Sequence, residues 1–237
     1  MRHIEMVHGD CTPRNNYINI QLLSVIALSP WFVAALDQLL KERRDIWLGT
    51  QRPAEPVLST GTTELDQWLP THGWPCSQLI ELLPTALGSG ELQILLPVLA
   101  EQTQQAKPVL LIAPPLIPCP QGLIQAGVDL KHLIIVRSTN NTLWAAEKAL
   151  KSGLCGTLII WPNANEMSAV AIRRLQLAGE QGPAPVFLIH RYTHHSAAGR
   201  YAIRLKIEPG PKITLVSATN VEPINQDHHS IALTALN

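Results

Sequence analysis

Five short and nearly uninterrupted apolar runs constrain the fold of this chain more than any other feature. Segments with helical periodicity separate the runs, and continuous apolar runs are typical of parallel strands that are covered on both faces. The alternation predicts an α/β fold with a mostly parallel central sheet flanked by helices. The strands are predicted at Leu79–Leu83, Val109–Ala113, Leu133–Val136, Thr157–Trp161 and Val186–His190.

Helices are expected between these strands, and an antiparallel hairpin is expected after the last of them. Two alternating segments, Tyr201–Ile207 and Lys212–Val216, flank turn residues at 208–211, so the sheet is predicted to end in antiparallel strands. The main domain is therefore placed at residues 59–218, and a polar C-terminal tail at 219–237. The helices are predicted at Glu91–Gln105, Pro120–Ala126, Thr142–Lys151 and Glu166–Gln181.

The region before the main domain has three predicted parts. Residues 1–28 form an extension that matches no pattern, residues 29–50 carry a helix, and residues 51–58 form a linker. Ser29 and Pro30 suit the start of that helix. The apolar run Tyr17–Leu40 includes polar residues and Pro30, which would break a membrane-spanning helix, so no membrane association is predicted.

Charge and cysteine usage exclude several classes of function. The chain has 18 basic and 18 acidic residues, so a direct DNA binder would need a local basic patch. The four cysteines are far apart and form no C-x-x-C pair, which argues against disulfides and zinc and favours the cytoplasm. The paired histidines at 194–195 and 228–229 lie in polar stretches and are interpreted as solvated loop residues, so no metal site is predicted.

The segment 79–99 has the layout of a phosphate-binding loop, in which a strand and a glycine-rich turn lead into a helix. Gly88, Ser89 and Gly90 stand at the turn, but Glu91 follows where the loop requires lysine, and Leu92 replaces the magnesium-binding Ser or Thr. A carboxylate at that position repels phosphate oxygens. The alternative is an ordinary helix start, since glutamate in a first turn suits the helix dipole.

A carboxylate required for ATP hydrolysis is missing as well. The candidate strand for the magnesium-binding carboxylate ends in Trp161 and Pro162. Without the lysine, the hydroxyl and the carboxylate, three separate electrostatic contributions to phosphoryl transfer are lost. We therefore expect no enzymatic activity, no catalytic residues and no cofactor; weak nucleotide binding through the backbone N–H groups of Gly88–Glu91 stays open.

Residues upstream of the loop point to a known family of proteins. Thr60, Gly61, Leu65 and Asp66 belong to a segment, Ser59–Pro75, that resembles the approach to the first strand in RecA recombinases. The order of further motifs closely resembles the ImuA family of translesion-synthesis accessory proteins, which is related to RecA and to the cell-division inhibitor SulA. The resemblance spans Leu36 to Val216. The motifs are His72–Pro75, Glu81–Leu83, Gly88–Gln93, Ala113–Pro115, Leu143–Glu147, Ser152–Gly156 and Arg173–Ala178.

The resemblance implies a RecA-like P-loop NTPase fold and a role in the SOS response to DNA damage. It implies a non-catalytic adaptor that acts with an ImuB-like Y-family homologue, an error-prone replicative-type polymerase and RecA. The alternative is a SulA-like inhibitor that binds the division GTPase FtsZ. SulA-like chains resemble only the portion from about Glu81 onward, so the Thr60–Pro75 segment favours the adaptor.

A contact surface for a partner or for DNA is expected around Arg173 and Arg174. Ala171, Leu175 and Ala178 are spaced for burial on the same helix, which turns part of the arginine pair outward. A solvated basic face with salt bridges is the equally supported alternative. Further basic residues that would extend such a patch are Arg191, Arg200, Arg204 and Lys206.

Tryptophans are favoured both in cores and at interfaces. We expect Trp74, Trp144 and Trp161 in the core. For Trp31 and Trp47 the sequence does not decide between a core and an interface position.

Overall fold

A mostly parallel sheet of eight strands forms the centre of the part of the chain that is described. The computed structural model describes Gln38 and residues 56–86, 88–137, 140–191, 201–210, 212–218 and 230–232. The predicted extension 1–28, and the predicted helix 29–50 apart from Gln38, lie outside these residues. The described strands are β1 Val57–Leu58, β2 Trp74–Pro75, β3 Leu79–Pro84, β4 Val109–Ile112, β5 Leu133–Val136, β6 Thr157–Ile160, β7 Val186–Ile189, β8 Ile203–Glu208, β9 Lys212–Ala218 and β10 Ser230–Ala232.

The strand order confirms the predicted mixed sheet. Within the described residues the order is β10-β9-β8-β3-β7-β6-β4-β5, and β1 and β2 form a separate two-stranded ribbon. All pairs from β8 to β5 are parallel, whereas β9 is antiparallel to β8 and β10 is antiparallel to β9. The last strand, Ser230–Ala232, was not predicted and lies inside the segment that was interpreted as a polar tail.

The helices lie between the parallel strands, where the periodicity places them. One predicted helix is too long at its N-terminal end: residues 164–166 form a separate 3-10 turn, and Ser168 caps a helix that begins at Ala169. The Ser168 hydroxyl accepts a hydrogen bond from the Ala171 N–H, which is the usual reason for a helix to start there. The α-helices are α1 Thr63–Trp68, α2 Glu91–Gln104, α3 Pro120–Gln125, α4 Thr142–Lys151 and α5 Ala169–Gly179.

Two apolar clusters of described residues cover the two faces of the sheet. Alternate residues of β3 separate them: Ile80 and Leu82 belong to one cluster, and Leu79 belongs to the other. The first cluster includes side chains of α2 and α3, and the second includes side chains of α4 and α5. Both faces of the parallel strands are therefore buried, which explains why these strands are continuous apolar runs.

The segment Thr60–Asp66 is folded by its own side chains and rests on α2. The Asp66 carboxylate accepts hydrogen bonds from the Ser59 hydroxyl and the Thr60 N–H, each at 2.7 Å. Gly61 has φ +86°, and a Cβ built on it would lie 2.1 Å from Cβ of Pro97 in α2. The glycine of this motif is therefore required for both its backbone conformation and its close approach to the helix.

The tryptophan predictions are confirmed in part. Trp74 is fully buried and makes an edge-to-face contact with Phe187, whose ring centroid is 5.2 Å away. Trp161 is partly buried against the first cluster. The prediction for Trp144 is wrong: it is 57% exposed, because Leu143, Ala146 and Leu150 form the inward face of α4.

No helix among the described residues is long and apolar enough to cross a membrane.

Candidate functional site

The loop between β3 and α2 is closed by its own serine. Gly88 and Gly90 have φ values of +76° and +95°, which glycine adopts readily. Ser89 is buried, its hydroxyl donates to the Ala86 carbonyl at 2.7 Å, and the Ala86 N–H donates to that hydroxyl at 3.1 Å. Both hydrogen bonds of the Ser89 hydroxyl are therefore made within the loop itself.

Glu91 is the first residue of α2 and lies at the position predicted for the missing lysine. Its side chain is 8% exposed, and in the part of the chain that the structure describes its Oε2 atom is buried without a hydrogen-bond partner. Gly90 occupies the cap position, and Glu91 is the acidic residue of the first turn. A polyanionic ligand at this loop would therefore find a buried acidic side chain where the loop requires a cation.

A charge cluster on β3 was missed by sequence reasoning. Glu81 is fully buried, and its Oε1 atom lies 2.8 Å from Nε2 of His190, which follows β7. Its Oε2 atom accepts a hydrogen bond from Nε of Arg204, the directly opposite residue on β8. The only sequence signal is that Glu81 interrupts an apolar run, since a carboxylate in a doubly covered strand requires a buried cation.

The electrostatics of this cluster keep Glu81 ionised. Burial alone raises the pKa of the Glu81 carboxyl, but the hydrogen bond to His190 and the charge of Arg204 bring it below its ordinary value. Burial and the nearby Glu81 carboxylate raise the pKa of the Tyr201 hydroxyl. The Arg204 guanidinium also lies 5.4 Å from the centre of the Tyr201 ring. The Glu81 carboxylate on β3 is thus hydrogen-bonded to a residue of β8 and to the residue that follows β7.

The predicted contact residues fall in different parts of the structure. Arg204 belongs to the Glu81 cluster and has a side chain that is 20% exposed. Arg173 and Arg174 lie on α5 and are exposed, and Arg191 is an exposed residue that follows the end of β7. Arg200 lies outside the described residues. Arg173 and Arg174 are therefore available on the surface of α5, whereas Arg204 is bonded to Glu81 within the sheet.

A second carboxylate, Glu147, connects α4 and α5. Its Oε1 atom lies 2.5 Å from Nζ of Lys151 on the same helix, and its Oε2 atom lies 2.6 Å from Nη2 of Arg174. The hydrogen bond from Lys151, together with Arg174, lowers the pKa of the Glu147 carboxyl. The Arg174 side chain is therefore turned toward α4, whereas Arg173 reaches Gln176 on its own helix at 3.5 Å.

A third carboxylate, that of the partly buried Glu166, lies at the start of α4. Its carboxylate accepts hydrogen bonds from the N–H and the hydroxyl of Thr142, and from the N–H of Asn163. This bond pattern explains why Glu166 is in a 3-10 turn and not in α5. Among the described residues, no group of three or more His, Cys, Asp or Glu side chains is arranged to hold a metal ion.

Comparison with solved structures gives many chains that match this one, and a SulA structure is among them. No family model matches this chain, and no curated protein does. The crystal structure of SulA from Pseudomonas aeruginosa is 26% identical over 50% of this chain and 100% of that chain, with a TM-score of 0.40.

Proposed function

We propose that this chain is a non-catalytic adaptor of SOS-induced, error-prone translesion DNA synthesis, of the ImuA type. Its scaffold would be a RecA-like P-loop NTPase fold that has lost its nucleotide chemistry. The partners would be an ImuB-like Y-family homologue, an error-prone replicative-type polymerase and RecA, with weak DNA contact as a secondary role. The order of family motifs from Thr60 to Ala178 supports the family part of this proposal.

The observation that carries the non-catalytic part is the position of Glu91. It directly follows the left-handed glycine at the helix start, where a phosphate-binding lysine would be, and it is buried. A nucleotide triphosphate at this loop would meet a buried carboxyl side chain in place of a cation, so the helix N-terminus alone would have to attract it. If the chain binds no nucleotide, its role is to bind other proteins.

The loop is tested by restoring the missing residues. The double variant Glu91→Lys, Leu92→Thr recreates the lysine and hydroxyl, and we expect millimolar Mg·ATP to raise its melting temperature but not that of the native chain. Glu101→Lys provides the matched control, because it reverses an exposed charge farther along α2. Phosphate release from Mg·ATP by the native chain would overturn the non-catalytic assignment, whereas stabilisation without hydrolysis would show nucleotide binding alone.

The cellular role is tested by complementation and by capture. A strain lacking this gene should lose damage-induced mutagenesis and regain it with the native chain. Purified protein should retain the ImuB-like homologue and not FtsZ. Retention of FtsZ alone would establish the SulA-like alternative instead.

A further inference from the structure

Three exposed apolar side chains lie on the outer faces of α4 and α5. Trp144 is 57% exposed, Val170 is 71% exposed and Leu177 is 40% exposed. Val170 and Leu177 are seven residues apart, so they share one face of α5, opposite the buried Ile172 and Leu175. Outward positions on helices that pack against a sheet are normally polar, so grouped apolar side chains there indicate a binding surface.

Trp144 and Val170 lie at the same level of neighbouring helices. Both α4 and α5 return between parallel strands on one face of the sheet, so they run in the same direction. The Glu147–Arg174 ion pair fixes their relative position. Trp144 is one turn before Glu147, and Val170 is one turn before Arg174, which places the two apolar side chains at corresponding positions.

The same surface is positively charged. Four basic residues stand on these two helices, against two acids: Glu147, which is 9% exposed, and the exposed Glu180 at the C-terminal cap of α5. Nζ of Lys148 lies 5.8 Å from the centre of the Trp144 ring, so cation and ring are presented together. Arg173 lies between Val170 and Leu177 along α5. We name this the α4–α5 surface: Trp144, Lys148, Val170, Arg173, Arg174 and Leu177.

We propose that the α4–α5 surface binds an acidic amphipathic helix of a protein partner. Such a helix matches the surface in both respects, because its apolar face would cover Trp144, Val170 and Leu177 while its carboxylates would face Lys148 and Arg173. The proposal deepens the adaptor function proposed above and rests on it.

A nucleic acid fits the surface less well. Phosphate contacts use cations, yet Arg174 and Lys151 already share the Glu147 carboxylate. A phosphodiester backbone would also leave Val170 and Leu177 without an apolar partner. The observations therefore favour a peptide over DNA.

The test measures binding of three fluorescent probes to the full chain by anisotropy. The first probe is a synthetic helical peptide with leucine at positions i, i+3, i+4 and i+7 and glutamate elsewhere. The second replaces glutamate with lysine, and the third is a single-stranded oligonucleotide. We expect the acidic peptide to bind and the basic peptide not to bind.

Matched variants locate the binding. Trp144→Ala and Arg173→Glu should each weaken acidic-peptide binding about tenfold or more. Two controls should change it by less than about twofold: Leu116→Ala, which removes an exposed apolar residue after β4, and Lys131→Glu, which reverses an exposed charge before β5. All four positions are exposed, so melting temperatures should stay near that of the native chain.

Each other outcome overturns the proposal. Absence of acidic-peptide binding, or equal binding by all variants, would remove the site. Oligonucleotide binding that Arg173→Glu abolishes would assign the surface to DNA. Concentration-dependent self-association that Trp144→Ala abolishes would assign it to a second copy of this chain.

Complementation separates this proposal from the adaptor function. If the native chain binds the acidic peptide and Trp144→Ala does not, but the native gene fails to support mutagenesis, the surface stands and the adaptor function falls. If Trp144→Ala and Arg173→Glu restore mutagenesis fully and the native chain binds no acidic peptide, the adaptor function stands and the surface falls.

Discussion

The carboxylate of Glu81 lies 2.8 Å from Nε2 of His190, and it is fully buried between strands of one parallel sheet. The second oxygen of the same carboxylate accepts a hydrogen bond from Arg204. The Glu81 side chain therefore bonds to Arg204 of β8 and to His190, which follows β7, and these two strands lie on either side of β3. The centre of the sheet depends on this cluster, because Arg204 compensates the buried charge of Glu81 and the hydrogen bonds satisfy both of its oxygens.

Replacing Glu81 by glutamine should destabilise the protein by about 3 kcal/mol, because it leaves the charge of Arg204 without its counterion. The lower end of the usual range applies, since the Arg204 side chain is 20% exposed and part of its charge can be hydrated. Urea unfolding of Glu81→Gln measures the change. The partly exposed pair of Glu208 with Lys206 supplies the control, and Glu208→Gln should leave the unfolding midpoint close to that of the native chain, because water reaches both charges. Equal midpoints for both variants would contradict this prediction.

Acid should unfold the native chain partly through Glu81. Because the folded-state pKa of Glu81 is lowered, the unfolded chain binds its proton more readily, and the contribution to stability is present above the ordinary value of 4.5. That contribution is lost as the pH falls below this value toward the folded-state pKa. The free energy of unfolding should fall less steeply with acid in Glu81→Gln than in the native chain. Asp66, Glu147 and Glu166 also have lowered pKa values, so part of the slope should persist.

Alanine at two glycines should have opposite effects on stability. Gly61→Ala places a Cβ into the ring of Pro97 at a positive φ, which should cost about 2–4 kcal/mol. Gly122→Ala lies in α3, where a Cβ would meet no described atom within 4 Å, and should stabilise by about 0.5–1 kcal/mol. Denaturant midpoints of the two variants check the signs. A tolerated Gly61→Ala would show that the segment does not rest on α2 as described.

Thiol labelling should be confined to one of the three described cysteines. Burial raises the pKa of the Cys76 thiol to about 11 and that of Cys155 to about 12, whereas Cys119 is exposed. A Cys11→Ser variant removes the cysteine that lies outside the described residues. At pH 8, iodoacetamide should modify Cys119 of this variant rapidly. Cys76 and Cys155 should be modified only after urea is added, and peptide mass spectrometry identifies the labelled residues. Rapid labelling of Cys155 in the folded protein would contradict the described burial.

Local sequence patterns predicted most elements, because their signals lie within a few residues. The strand Leu133–Val136 and the helix Thr142–Lys151 begin and end where they were predicted. The predicted start of a helix at Glu166 was wrong, because the Glu166 carboxylate bonds to Thr142, 24 positions earlier. The helix propensity of a segment cannot include such a distant partner.

The sequence by itself determined the alternating α/β order and the acidic residue at the loop, since both depend on neighbours along the chain. The tertiary structure decided the strand order, and with it the fate of each charged side chain. His190 and Arg204 are 109 and 123 positions from Glu81, so only the packing of β7 and β8 on either side of β3 makes them its partners. The exposure of Trp144 was decided in the same way, because a helix has one inward face, and contact with the sheet selects which residues form it.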